Sequence, residues 1–230
     1  MQPFPPPSPT PTPITIATAN PGKVAELRPI FAGLGIGVVG LCDLDTPTSE
    51  PKETGDTFQA NATIKAVAYA RQTGTPCLAD DSGLVVDALD GAPGVISSHY
   101  STGGLEDPRP RAERDAANNA RLLAELQGVP EDRRSARFVC VMVLADPAGC
   151  VLATARGEME GRIASTPRGE HGFGYDPLFL VAPDYERTSA QMSPQEKNAI
   201  SHRAKAANQI ASQIADNFPG SFARASADAP

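Results

Sequence analysis

Residues 136–146, ARFVCVMVLAD, form a nearly continuous apolar run, and no other stretch limits the fold as much. A short, β-branched run of this kind reads as a strand. Pro147-Ala148-Gly149 interrupts it, and CVLATARGEMEGRI at 150–163 supplies the second arm of a hairpin. ITIAT at 14–18 and IGVVGL at 36–41 are two further short strands, PCLADD at 76–81 a buried one, and GLVVDAL at 83–89 another short one. Apolar residues recur at helical spacing in VAELRPIFAGLG, 24–35, and RDAANNARLLAELQGV, 114–129. The best helix is TFQANATIKAVAYARQTG, 57–74, where Phe58, Ala62, Ala66 and Tyr69 form one stripe and Gly74 is a stop. A long helical region covers 193–218, with Ser193 as N-cap and Pro194 at the first position, and Ser201-His202-Arg203 is a candidate break in it.

This mixture predicts an α/β fold, a mixed β-sheet flanked by helices, in one compact unit with two lobes. There is no internal repeat and no Gly/Ser linker. The start, MQPFPPPSPTPTP, lacks the basic and apolar regions of a signal peptide, and its prolines favour an extended tail over 1–13. A proline-motif ligand is the other reading of it. The folded unit is expected over 14–217, with 218–230 frayed.

The formal net charge of −7 argues against a broad nucleic-acid or anionic-membrane surface, so phosphates must be met by a few well-placed cations. No apolar stretch approaches a membrane span. Cys42, Cys77, Cys140 and Cys150 show no CxxC spacing, which disfavours structural zinc and predicts free buried thiols in a reducing cytoplasm.

Candidate chemistry lies in five places. In TANPGK, 18–23, a strand passes through a glycine-containing turn into a helix opened by Lys23, an arrangement that favours anions but lacks Walker A spacing. Glu53 precedes a helix whose Asn61 and Lys65 are four apart and share a face. Asp80-Asp81-Ser82-Gly83 is set hard against apolar runs on both sides. Adjacent carboxylates repel, and a buried charge is costly unless paired or metal-bound. In an α/β sheet they fall at the carboxyl end of a strand, where ligands bind, and with Glu53 they offer the oxygen ligands Mg²⁺ takes. A solvated Asx turn joining two strands is the alternative.

GEHGFGYDPLF, 169–179, gathers glycines around Phe173, Tyr175 and Asp176. Glycine lets backbone approach a ligand and a ring offers a base a stacking face, although an aromatic-anchored surface loop has the same composition. EKNAISHR, 196–203, adds Lys197, Ser201, His202 and Arg203. Lysines for phosphates, carboxylates for metal, a ring for a base and polar donors for its edge are the parts that a Mg-bound nucleoside triphosphate requires.

TANPGKVAEL, ETGDTFQANATIKA, LADDSGLVVDALDGAPG, GFGYDPLF and KNAISHRAKA, in that order, resemble the inosine/xanthosine triphosphate pyrophosphatases. The resemblance covers roughly residues 14 to 215. It implies a long central mixed β-sheet flanked by helices, in two lobes with a cleft between them, and a homodimer that cleaves dITP, ITP or XTP with Mg²⁺ to the monophosphate and pyrophosphate. It also implies a phosphate-side loop of Thr18, Ala19, Asn20, Pro21, Gly22 and Lys23. Glu53 and Asp81 become metal ligands, and Asp81 also takes the proton of the attacking water. Lys65 lies near the phosphates and Ser82 touches the nucleotide. Phe173, Gly174, Tyr175 and Asp176 bind the base, and Lys197, His202 and Arg203 complete recognition. Ser97-Ser98-His99-Tyr100 departs from the family, many of whose bacterial members carry arginine at the third of these positions. A pyrophosphatase for modified pyrimidines or methylated bases is the nearest rival. A haloacid-dehalogenase-like phosphatase lacks its DxDxT pattern here, and a nucleotide sensor without turnover is the non-enzymatic alternative.

Overall fold

The computed structural model describes residues 12–18 and 21–222. Residues 1–11 of the expected 1–13 tail, the loop residues Ala19 and Asn20, and residues 223–230 lie outside them. A single six-stranded sheet runs in the order β2-β1-β3-β4-β5-β6. The strands are β1 (Ile14–Ile16), β2 (Val38–Gly40), β3 (Cys77–Val86), β4 (Ser135–Ala145), β5 (Val151–Ile163) and β6 (Phe179–Val181). β1 is parallel to both β2 and β3, and every other pairing is antiparallel, so the sheet is mixed as its sequence implies.

The long apolar strand β4 is covered on both faces. Cys140, Met142 and Leu144 join a core completed by α1 (Pro21–Gly33) and α5 (His202–Asn217). The alternate residues Val139, Val141 and Val143 pack against α2 (Phe58–Thr73). Alternation of side chains along a strand thus feeds two cores from one run, which explains why residues 138–145 are all apolar. A third core at the far end of β3, β4 and β5 gathers Leu84, Phe138, Met159, Ile163 and Phe179 with Leu122 of α3 (Arg111–Glu125), and builds the second lobe. The predicted stripe of α2 is fully used: Phe58, Ala62, Ala66 and Tyr69 are all buried. Phe222 reaches back to the first core and bridges Thr12.

Two expectations change. PCLADD and GLVVDAL are one unbroken strand, because all ten residues of β3 find partners on β4, from Cys77 opposite Ala145 to Val86 opposite Ala136. The turn-forming preference of Asp-Ser-Gly yields to that ladder. Gly83 is needed there for space rather than for a turn: a Cβ would lie 2.5 Å from the Ser97 hydroxyl and 2.8 Å from the Phe58 ring. The candidate break in the C-terminal helical region is present: α4 (Pro194–Ile200) and α5 are divided at Ser201, whose hydroxyl accepts from the Ala204 amide. Ser193 caps α4 as expected, in a reciprocal box with Glu196. Finally, Cys77 and Cys140 are buried free thiols, but Cys42 and Cys150 are exposed. Among the described residues no helix is long and apolar enough to cross a membrane.

Candidate active site

The unbroken course of β3 answers the problem posed by its two acids. Successive strand residues face opposite sides of a sheet, so Asp80 and Asp81 do not share an environment. They also sit just past the point where β1 stops pairing with β3 at Leu78, at the open end of the parallel part of the sheet.

On one side, Lys23 of α1 donates to both Asp80 oxygens at 2.9 and 2.8 Å, Ser82 donates to Oδ2 at 2.7 Å, and the Arg203 guanidinium lies 3.8 Å away. The Asp80 side chain is only 3% exposed. Burial opposes its charge, yet Lys23, Arg203 and Lys65 together hold its carboxyl well below the usual carboxylate range.

On the other side, Lys65 of α2 donates to Asp81 Oδ1 at 3.2 Å and to Glu53 Oε2 at 2.9 Å, and Asn61 donates to Asp81 Oδ2 at 3.3 Å. Asn61 and Lys65 are one helical turn apart, which is how both reach the same carboxylate. Burial pushes the Asp81 carboxyl up to about 6, with Glu53 and Asp80 reinforcing it and Lys65 opposing. Burial works against the Lys65 charge, but Asp81, Asp80 and Glu53 outweigh it and raise its pKa.

The two adjacent acids are therefore held in different environments, one favouring the ionised form and the other the neutral form. Glu53 and Asp81 converge on a single ammonium, so the pair is already arranged to hold one cation jointly. Their hard oxygen donors fit Mg²⁺, which takes one or two carboxylates and fills its remaining positions with water and phosphate. Among the described residues no cluster of three or more His, Cys, Asp and Glu forms a cage by itself.

Farther along the same cleft, Asp176 accepts from Lys197 at 2.6 Å, from the Phe173 amide at 2.9 Å and from Ser189 at 2.8 Å. Lys197 thus sits with the glycine-rich loop, 5.2 Å over the Phe173 ring. Tyr175 is buried and donates to the Ser97 carbonyl at 2.8 Å, which makes it an anchor of the loop. His202 stacks on Phe138 with centroids 5.1 Å apart. Its backbone carbonyl approaches β5 so closely that a Cβ at Gly157 would collide with it. Burial, reinforced by Arg203 and Lys197, keeps the His202 imidazole neutral, and its buried Nδ1 has no hydrogen-bond partner.

These groups line one cleft of about 1310 Å³, together with Thr18, Ser82 and Gly174. Pro21 and Gly22 begin α1. Eight carboxylates and seven lysine or arginine side chains line the cleft, so its own charge does not favour a polyanion and a further cation would reverse the balance. Several lining residues are not singled out by sequence: Arg111, Arg114 and Asp115 of α3, and Asp107. Arg114 and Asp115 fall on the predicted helix, where charged positions read as a solvated face, while Asp107 and Arg111 precede it, and only the folded chain brings the four to the cleft. His99 also lines the cleft, with its Nε2 3.3 Å from Arg114 and Nδ1 2.9 Å from the Ser98 hydroxyl.

A sequence model of the Ham1 family matches residues 14–213. A dITP/XTP pyrophosphatase from Exiguobacterium sibiricum is 49% identical over 195 residues, covering 85% of this chain and 93% of the relative. One from Symbiobacterium thermophilum is 51% identical over 191 residues, covering 83% and 89%. The solved structure of a HAM1 protein from Coxiella burnetii superposes with a TM-score of 0.76 at 40% identity, covering 89% of this chain and 99% of that one.

Proposed function

Since this chain belongs to the Ham1 family, we propose that it hydrolyses the non-standard purine nucleoside triphosphates dITP, ITP and XTP to the monophosphate and pyrophosphate, with Mg²⁺. It is a nucleoside triphosphate pyrophosphatase, and the catalytic unit spans residues 14–217. One observation carries the proposal: Glu53 and Asp81 meet on one cation in the same cleft that holds Lys23, Phe173, Asp176 and an unpaired buried imidazole nitrogen.

Glu53 and Asp81 would hold the metal, which supplies charge neutralisation and polarises phosphate oxygens. Asp81 accepts a proton from the attacking water as the water oxygen bonds to the α-phosphorus. The bond from that phosphorus to the bridging oxygen breaks, and pyrophosphate leaves with the electron pair. Lys23 and Lys65 offset the charge that develops on the leaving group.

At the other end Phe173 stacks on the base, with Asp176 and Lys197 at its edge. A 6-oxo purine presents an acceptor where adenine presents an amino donor. A donor from the His202-Arg203 corner, where His202 Nδ1 is unpaired, is satisfied by inosine and xanthosine and left unmet by adenine. Unpaired polar groups of this kind discriminate strongly. The protein works on nucleotides in the cytoplasm as a homodimer.

Hydrolysis in ¹⁸O-water tests the bond cleaved. The label is expected in the monophosphate, with pyrophosphate unlabelled. Label in inorganic phosphate or pyrophosphate would contradict attack at the α-phosphorus, and a preference for dTTP or UTP analogues over ITP would favour the pyrimidine-directed rival.

A further inference from the structure

Arg111, Asp115 and Asn119 recur every four residues on α3 and share one face of that helix. All three meet the glycine-rich loop at its aromatic residue. The Gly174 amide donates to Asp115 Oδ2 at 2.9 Å, and the Gly174 carbonyl accepts from Asn119 Nδ2 at 2.9 Å. Both polar groups of this one backbone unit are therefore held by side chains a single helical turn apart. Asp115 also lies 3.8 Å from Arg111, whose guanidinium sits 4.4 Å over the Phe173 ring.

Resting on the nucleotide reading above, we propose that Asp115 and Asn119 are positioning residues that clamp Gly174 and so set the plane of Phe173 against the purine. Three features separate this role from general support of the fold. First, the clamp grips only the residue between Phe173 and Tyr175. Tyr175 has its own anchor at the Ser97 carbonyl, Ser97 is also held by Asn118 at 3.3 Å, and the Phe173 amide stays on Asp176 at 2.9 Å, so loss of the clamp loosens the ring plane without releasing the loop. Second, Asp115 and Asn119 are only partly buried and lie outside the apolar cores, so truncating them removes no core side chain. Third, one carboxylate serves both the loop and the cation on the ring face, which couples ring orientation to cleft charge.

The base end and the phosphate end then respond differently. The test measures KM and kcat for ITP, and the inhibition constant of inorganic tripolyphosphate, which has no base, in wild type, Asn119→Ala and Asp115→Ala. With one backbone hydrogen bond removed, KM for ITP is expected to rise about tenfold while kcat changes less than about threefold. Tripolyphosphate inhibition is expected to be unchanged in Asn119→Ala. In Asp115→Ala it tightens, because a negative charge has left the cleft. KM and the inhibition constant weakening together, or neither moving, would overturn the clamp while leaving the functional reading intact. Wild-type protein that releases no pyrophosphate from ITP would instead overturn the functional reading and this inference with it. Should one variant fail to fold, the other carries the same comparison.

Discussion

Asp80 and Asp81 are adjacent in the chain, yet one carboxylate is bound by Lys23 at 2.8 Å and the other by Lys65 at 3.2 Å, on opposite faces of β3. This division lets a buried strand carry two charges side by side, and it gives the two acids separable roles.

Asp81 is the group assigned to proton transfer. Asp81→Asn is expected to cut turnover of ITP by about 10²–10⁴-fold, the usual contribution of a positioned acid or base. Circular dichroism should show the fold retained, since Lys65 keeps Glu53 as a partner. A turnover within threefold of wild type would contradict the assignment.

Asp80 should behave in the opposite sense. Asp80→Ala leaves Lys23 and Arg203 facing a buried site with no carboxylate, and stability measured by denaturant at pH 7 is expected to fall by about 3–5 kcal/mol. Because the folded carboxyl lies below its ordinary value, its contribution is present above the unfolded pKa of 3.8 and lost as pH drops toward the folded one. The gap between wild type and variant should therefore narrow at pH 3. An equal gap at both pH values would contradict the pairing.

The metal-free protein offers a contrasting pH test. Asp81 is raised to about 6 in the fold from 3.8, so any stabilisation tied to its neutral form is complete below the lower value and lost as pH rises through the upper one. Asn cannot ionise. Relative to wild type, Asp81→Asn should thus gain melting temperature between pH 5 and pH 8, with a stability difference on the order of 1–3 kcal/mol. A melting difference that does not vary with pH would count against the raised carboxyl.

Phe173 supplies the stacking face. Phe173→Ala is expected to raise KM for ITP roughly tenfold to a hundredfold, corresponding to about 1–3 kcal/mol of base stacking. Binding of tripolyphosphate should change little. Equal losses for both ligands would place the ring outside the base site.

Much of this was legible in residue order, and the failures have physical causes. The α2 stripe and the β4–β5 hairpin follow from apolar periodicity, which packing obeys directly. Local preference splits β3 into two strands, because Asp, Ser and Gly favour turns, whereas ten cross-strand partners decide the matter at long range. The opposed faces of Asp80 and Asp81 follow only once that strand is continuous. Asn61 and Lys65 were placed on one face by spacing alone, and both do reach Asp81. Asp115 and Asn119 gave no signal, since polar residues on a helix look solvated until a neighbouring backbone unit is found between them. Exposure of Cys42 and Cys150 likewise depends on packing that composition does not encode.

Pyrophosphate release from ITP, XTP and the four standard nucleoside triphosphates, with and without Mg²⁺, bears most directly on the convergence of acids, cations and ring in one cleft. Rapid release from ITP and XTP in Mg²⁺, slow release from ATP, GTP, CTP and UTP, and none after chelation is the predicted pattern. Equal rates across the panel, or turnover that survives removal of divalent metal, would contradict it.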